Sequence, residues 1–232
     1  MKVKLISYTK PAEEFLAEVG TEANVQDLVA YCARVSNPSN QMNTETSERL
    51  LKYLIKHKHW SPFEMVTACL EIETTRDIAH QIVRHRSFAF QEFSQRYADV
   101  STFDDMFVIR ETRMQDPKNR QNSIPFYESD KAGSDIADAW EDWQRKIQEY
   151  TGRAYTWALE NGIAKEQARV VLPEGMTTTR LYMTGSLRSW IHYVELRSAH
   201  GTQKEHMDIA IECGKVITNI FPAIIGIIKD EG

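Results

Sequence analysis

The chain has 232 residues, 42% apolar and 26% charged, with a formal net charge of -5 at pH 7. Such a chain is long enough and apolar enough to bury a sizeable core. Its acidic balance excludes a general nucleic-acid binder, which must neutralise many phosphates, but leaves room for a local cationic pocket.

Residues 3–8, "VKLISY", read as a short first strand. "VQDLVAYCARVS" and "ERLLKYLIKHKH" carry apolar residues at helical spacing and predict helices near 24–35 and 45–58, with a polar loop between them. From Val66 the period changes to two: Val66, Ala68, Leu70 and Ile72 alternate with Thr67, Cys69, Glu71 and Glu73, the pattern of a half-buried strand. Thr74 and Asp77 have capping-box spacing, so a helix is expected from about Thr75, with Ile78, Ala79, Ile82 and Val83 on its core face. Gln81 and Arg84 then share the opposite face.

Residues 112–135 are polar and broken by Pro and Gly, and read as a long loop. Residues 136–162 read as a long amphipathic helix ending at Asn161-Gly162, and "AKEQARVVLP" as a short one stopped by Pro173. "TRLYMTGSLRSWIHYVELR" and "TQKEHMDIAIECGKVITNIF" are expected to complete a helical C-terminal half, with the apolar "FPAIIGIIK" as a last buried segment too short to span a bilayer. The Trp residues of "DAWEDWQRK" and the Met of "TTRLYMTG" read as core. No linker divides the chain, so the expected fold is one α+β domain over 1–232, a small antiparallel sheet packed against several long helices.

Cys32, Cys69 and Cys213 are widely spaced and form no CxxC pair, which argues against a disulfide framework or a structural zinc site and fits a reducing cytoplasm. The N-terminus reaches Lys10 and Pro11 before any signal-length apolar run. GxGxxG, the P-loop pattern, GxSxG and HExxH are all absent, and neither His57/His59 nor His200/His206 comes with an acidic cluster, so no metal is expected.

The densest chemistry lies in "RHRSFAFQEFSQRY" (84–97), where Arg84, His85, Arg86 and Arg96 sit among four aromatic rings with Glu92 and Ser94 between them. One reading is a salt-bridged surface over buried aromatics; the other is a site for something anionic and flat. Arg169, Arg188 and Arg197 favour the second, because each follows or interrupts an apolar run, where an arginine is costly unless it meets an anion. The planar guanidinium fork suits phosphate.

Arg84-His85-Arg86, seven residues, then Ser94 resembles the signature of the flavin-dependent thymidylate synthases. "CARVS" (32–36), "HKHWSPFE" (57–64), "AHQIVRHRSFAFQEFSQRY" (79–97), "ARVVLP" (168–173) and "SLRSWIHYVELR" (186–197) resemble further blocks of that family, in its order. The resemblance implies a homotetramer with active sites shared between subunits and one FAD in each. It implies reductive methylation of dUMP to dTMP, with 5,10-methylenetetrahydrofolate giving the carbon and NADPH the electrons, without a cysteine nucleophile. Carried over by position, His59, Ser61, Glu64, Arg84, His85, Arg86, Glu92, Ser186, Arg188 and His192 would face FAD. Gln81, Arg84, Glu92, Ser94, Gln95, Arg96, Arg169 and Arg197 would face dUMP, with Arg197 the catalytic cation that favours ionisation of the uracil N3. Gln91, Ser186 and His192 stand where Asn is frequent in the family, and Gly201 where His is. Two other readings of the same chain are a nucleotide- or RNA-binding module and a metal-dependent phosphohydrolase built on the histidines.

Overall fold

The computed structural model describes residues 1–126 and 131–224, and the side chains of 131–134 are set aside. In chain order it comprises β1 (Lys2–Tyr8), α1 (Glu13–Val19), α2 (Val25–Ala33), α3 (Ser47–Lys56), β2 (Thr67–Thr75), α4 (Arg76–Ile82), β3 (Ala89–Glu92), β4 (Arg113–Gln115), β5 (Ser123–Pro125), α5 (Lys131–Glu160), α6 (Lys165–Ala168), β6 (Thr178–Ser186), α7 (Leu187–Arg197) and α8 (Lys204–Ile220). The main sheet has the order β1-β2-β6-β3 and every pairing in it is antiparallel, giving an α+β fold.

β2 is the strand its alternation predicts: Ala68, Leu70 and Ile72 are buried, and Leu70 and Ile72 stand opposite Met183 and Leu181 of β6. α2, α3, α7 and α8 cover that apolar side, with Trp190, Tyr193, Leu51, Ile209 and Ile217 in the same core. Trp190 is buried entirely, and its indole N–H donates to the carbonyl of Ala68 at 3.0 Å, so the ring brings no unpaired donor inside.

Four expectations need correction. The helix expected from Thr179 onward is a strand up to Ser186: residues 178–186 form β6, an interior strand, and Thr179, Leu181 and Met183 are buried while Tyr182 and Thr184 are exposed, a period of two. Pairing with β2 on one side and β3 on the other satisfies its backbone, and the helix begins only where Ser186 caps α7 by accepting from the Ser189 amide. Second, Thr74 and Asp77 form no capping box: Thr75 is the residue before α4, and its hydroxyl donates to Asp77 Oδ1 at 2.6 Å. Third, the 112–135 segment is not all loop. It holds the β4–β5 hairpin, whose turn is tied by Asp116 accepting from the amides of Lys118 and Asn119 and from Asn122 Nδ2, and α5 starts at Lys131; residues 127–130 lie outside the described residues.

Fourth, the tryptophans of "DAWEDWQRK" are not core. Trp140 and Trp143 are 48% and 60% exposed, in line along α5 with exposed Ile136, Ile147, Tyr150 and Trp157. Their spacing of four, three, four, three and seven is the seam of a coiled coil. α5 buries a different stripe, Tyr155 and Ala158 packing on Val100, Ala168 and Leu172. It ends as expected at Gly162, whose φ of 75° lets the Ile163 amide reach back to the carbonyl of Ala158 at 2.9 Å. Of the apolar tail, Phe221, Ala223 and Ile224 are buried, Pro222 is exposed, and residues from 225 on lie outside the described residues. Among the described residues no helix is long and apolar enough to cross a membrane.

Candidate functional site

The residues 84–97 do not continue a helix. α4 stops at Ile82, the chain turns through Arg84–Ser87, and β3 pairs with β6 (Ala89↔Thr184, Glu92↔Leu181). Gly185 allows this turn to close: a Cβ there would lie 2.5 Å from the buried Phe88 ring. Arg84 and Arg86 are left exposed, with no ion pair recorded for either among the described residues. This is not the salt-bridged surface considered above.

Three groups of polar side chains result. The first sits where β6 passes into α7. Glu64 accepts from Arg188 Nη1 at 2.8 Å, and its carboxyl is held below the usual range first by a hydrogen bond from Ser186 and then by Arg188. Ser189 ties Ser186 to the carbonyl of Ser87, and His192, four residues along α7 from Arg188, stacks edgewise on Trp60 at 4.5 Å. His59 and Ser61 are exposed on the turn before this group. The exposed carboxylate, guanidinium and hydroxyls form a polar rim suited to a ribose and phosphate chain.

The second group lies roughly 14 Å further along α7, at 1.5 Å per residue, where the helix ends. Arg197 Nε donates to His85 Nε2 at 2.9 Å, and among the described residues no carboxylate pairs with this half-buried guanidinium. A proton-accepting Nε2 makes His85 neutral. Burial, and next Arg197, push its pKa down accordingly. Beside it Gln81 bonds both Gln203 (2.8 Å) and His206 (3.2 Å). His206 is fully buried and pushed down to about 3, by burial first, then by Arg197 and His85. Gln203 does not stand out in the sequence, where "QKEH" reads as a charged helix start, and His206 enters there only in the rejected His200/His206 metal pair.

The third group gathers at the C-terminal end of β3. Arg76 Nη1 and the Thr179 hydroxyl both donate to Glu92 Oε1, at 3.1 and 2.9 Å. Ser94 heads a turn that its carbonyl closes onto the amides of Tyr97 and Ala98, Arg96 reaches Glu166 at 3.5 Å, and Arg169 follows α6 half-buried. Gln95 is buried, and its Nε2 has no partner among the described residues. No contact recorded among the described residues joins Ser94, Arg96 or Arg169 to Gln81 or Arg197. The recorded contacts of one chain thus fall into separate groups, with Gln81 and Arg197 in one and Ser94, Arg96 and Arg169 in the other. Among the described residues no cluster of His, Cys, Asp and Glu could hold a metal ion.

The family model for thymidylate synthase complementing protein matches residues 18–223. A probable flavin-dependent thymidylate synthase of Paramecium bursaria Chlorella virus 1 is 49% identical over 224 residues, 97% of each chain. The flavin-dependent thymidylate synthase of Synechocystis sp. is 48% identical over 225 residues, again 97% of each. This chain belongs to the flavin-dependent thymidylate synthase family. The crystal structure of a UMP/dUMP methylase from Streptomyces cacaoi, bound with 5-Br dUMP, shares the fold, with a TM-score of 0.74 over 96% of this chain and 91% of that one at 23% identity. The family's flavin fits the groups here: the rim of Glu64, Ser186 and Arg188 can hold its polar chain, and the exposed Arg84 and Arg86 can meet its phosphates.

Proposed function

We propose that this chain converts dUMP to dTMP as a flavin-dependent thymidylate synthase, with 5,10-methylenetetrahydrofolate as the carbon donor and NADPH as the reductant. The near-full-length kinship to two flavin-dependent thymidylate synthases carries the reading. FAD, when bound, supplies the redox chemistry. His59, Ser61, Glu64, Arg86, Ser186, Arg188 and His192 hold it, with Arg84, His85 and Glu92 at its boundary with the nucleotide. Ser94, Gln95, Arg96 and Arg169 bind dUMP at its phosphate, where charge-assisted donors are strongest. Gln95 Nε2, buried and without a partner among the described residues, supports that role.

Arg197 stabilises negative charge on the uracil. A half-buried cation whose polar partner is a neutral imidazole keeps most of its charge for a ligand, and deprotonation at N3 enriches the ring at C5. A thiolate is not needed, and the cysteines are unsuited to form one: burial pushes the thiols of Cys32, Cys69 and Cys213 up, Cys213 furthest.

The separation of Ser94, Arg96 and Arg169 from Gln81 and Arg197 supports a site completed by a second copy, and the exposed seam of α5 offers it a contact surface. The assembly we propose is the homotetramer. The deciding experiment is the visible spectrum of the purified protein, before and after dUMP addition, with dTMP formation followed in Arg197→Ala. A yellow protein whose Arg197→Ala variant keeps flavin but forms dTMP about 10²–10³ times more slowly is expected. Colourless protein that takes up no added FAD refutes the reading; dTMP at the parent rate refutes the role of Arg197.

A further inference from the structure

Five side chains run in a line from the β4–β5 side of the molecule to the second polar group. Arg110 Nη1 lies 3.2 Å from Glu205 Oε2, and Gln203 Nε2 lies 2.8 Å from the same oxygen. Gln81 Nε2 is 2.8 Å from Gln203 Oε1, and His206 Nδ1 is 3.2 Å from Gln81 Oε1. Taken alone, every amide in such a line can turn over and an imidazole can move its proton, so the bonds could run either way.

One end cannot turn. A guanidinium only donates and a carboxylate only accepts. Glu205 therefore takes an N–H from Gln203, which leaves the Gln203 carbonyl facing Gln81. Gln81 must answer with its own N–H, which turns its carbonyl to His206, and His206 must donate from Nδ1. Arg110 is held rigidly at the start. Asp77 grips it at 2.7 and 2.9 Å and Thr75 at 2.7 Å, and Gln144 pairs with its backbone N–H and carbonyl. At the other end, a His206 protonated on Nδ1 has a bare lone pair on Nε2, and that atom is buried without a partner among the described residues. Burial, Arg197 and His85 all oppose the second proton that would turn Nε2 into a donor.

Gln81 Nε2 carries two hydrogens, one given to Gln203; its second has no recorded partner among the described residues. We propose that Glu205, Gln203 and His206 are positioning residues that hold Gln81 as an N–H donor toward the pyrimidine, and so select a carbonyl over an amino group at ring position 4. The proposal rests on the reading that Gln81 faces dUMP. A uracil offers that donor an acceptor, whereas a cytosine would bring a second donor against it and leave both unpaired. A turned-over Gln81 would reverse the preference.

The test compares dissociation constants of dUMP and dCMP for the flavin-loaded protein, by titration calorimetry, with the His206 tautomer read from long-range proton–nitrogen spectra without nucleotide. We expect His206 protonated only at Nδ1. We expect Glu205→Ala, which frees both amides to turn over, to cut the preference for dUMP by about 10-fold or more. Glu205→Gln still sets an oxygen against Arg110 and should hold the preference within about 3-fold. A proton on Nε2 in the unsubstituted protein overturns the proposal whether or not Glu205→Ala folds. So does an unchanged preference in a folded Glu205→Ala that still binds dUMP, and then the synthase reading stands. Flavin-loaded protein that binds neither nucleotide overturns both.

Discussion

Acid should weaken this fold through His206. The ring is fully buried on α8 against Gln81 of α4, His85 of the following turn, and Tyr193 and Arg197 of α7. No carboxylate among the described residues is recorded beside it. Its pKa falls from an ordinary 6.5 to about 3 in the folded chain. The folded value is the lower one, so the unfolded chain takes up the proton first. Stability is complete above pH 6.5 and drains as the pH falls toward 3. At pH 5 the unfolded histidine is almost fully charged and the folded one neutral, which costs about 2 kcal/mol relative to pH 7; the full loss, near pH 3, is roughly 5 kcal/mol at 1.36 kcal/mol per pH unit. The assay is urea unfolding of the flavin-free protein by tryptophan fluorescence at pH 7 and 5, at one protein concentration, beside His206→Leu. The variant starts lower at pH 7, since Gln81 loses a partner, but should lose about 2 kcal/mol less on acidification. His85 titrates in both and cancels. If the two proteins lose the same stability between pH 7 and pH 5, His206 is not the buried neutral group described here.

Three further outcomes are expected. Gly185→Ala sets a methyl 2.5 Å from Phe88, inside the core, and should lower stability by about 1–3 kcal/mol in the same urea assay; an unchanged midpoint would show that Phe88 moves freely. Trp140→Glu with Trp143→Glu places charges in the exposed seam of α5 and should reduce the assembly seen by light scattering, with flavin lost alongside; an unaltered mass would show that the seam is not a contact between copies. Replacing Cys32, Cys69 and Cys213 together by Ala should leave dTMP formation in place in protein that folds and binds FAD, and its loss would point to a thiol in the chemistry.

Much of the secondary structure was legible in the sequence. β2, α2, α3 and the long α5 announce themselves because a single buried face writes its own period into the chain. β6 did not: Thr179, Leu181 and Met183 carry a weak two-residue pattern that flows into α7 without a break, and only pairing on both sides makes it an interior strand. Trp140 and Trp143 misled for the opposite reason. Helical spacing shows that a helix has an apolar face but not what covers it, and here α5 turns Tyr155 and Ala158 inward instead. The site divides in the same way. Arg84, His85, Ser94, Arg169 and Arg197 could be singled out as candidates, through the resemblance of the blocks around them to one family and because an arginine beside an apolar run calls for an anion. Their grouping could not, since it depends on β3 folding back on β6 and on where α7 ends. Glu205, and any role for His206 beyond the rejected metal pair, were invisible for a plainer reason: a histidine and a glutamate in a helical run are ordinary residues until the tertiary structure buries one and sets the other against Arg110, and the direction of a hydrogen-bonded line exists only once all its members are in place.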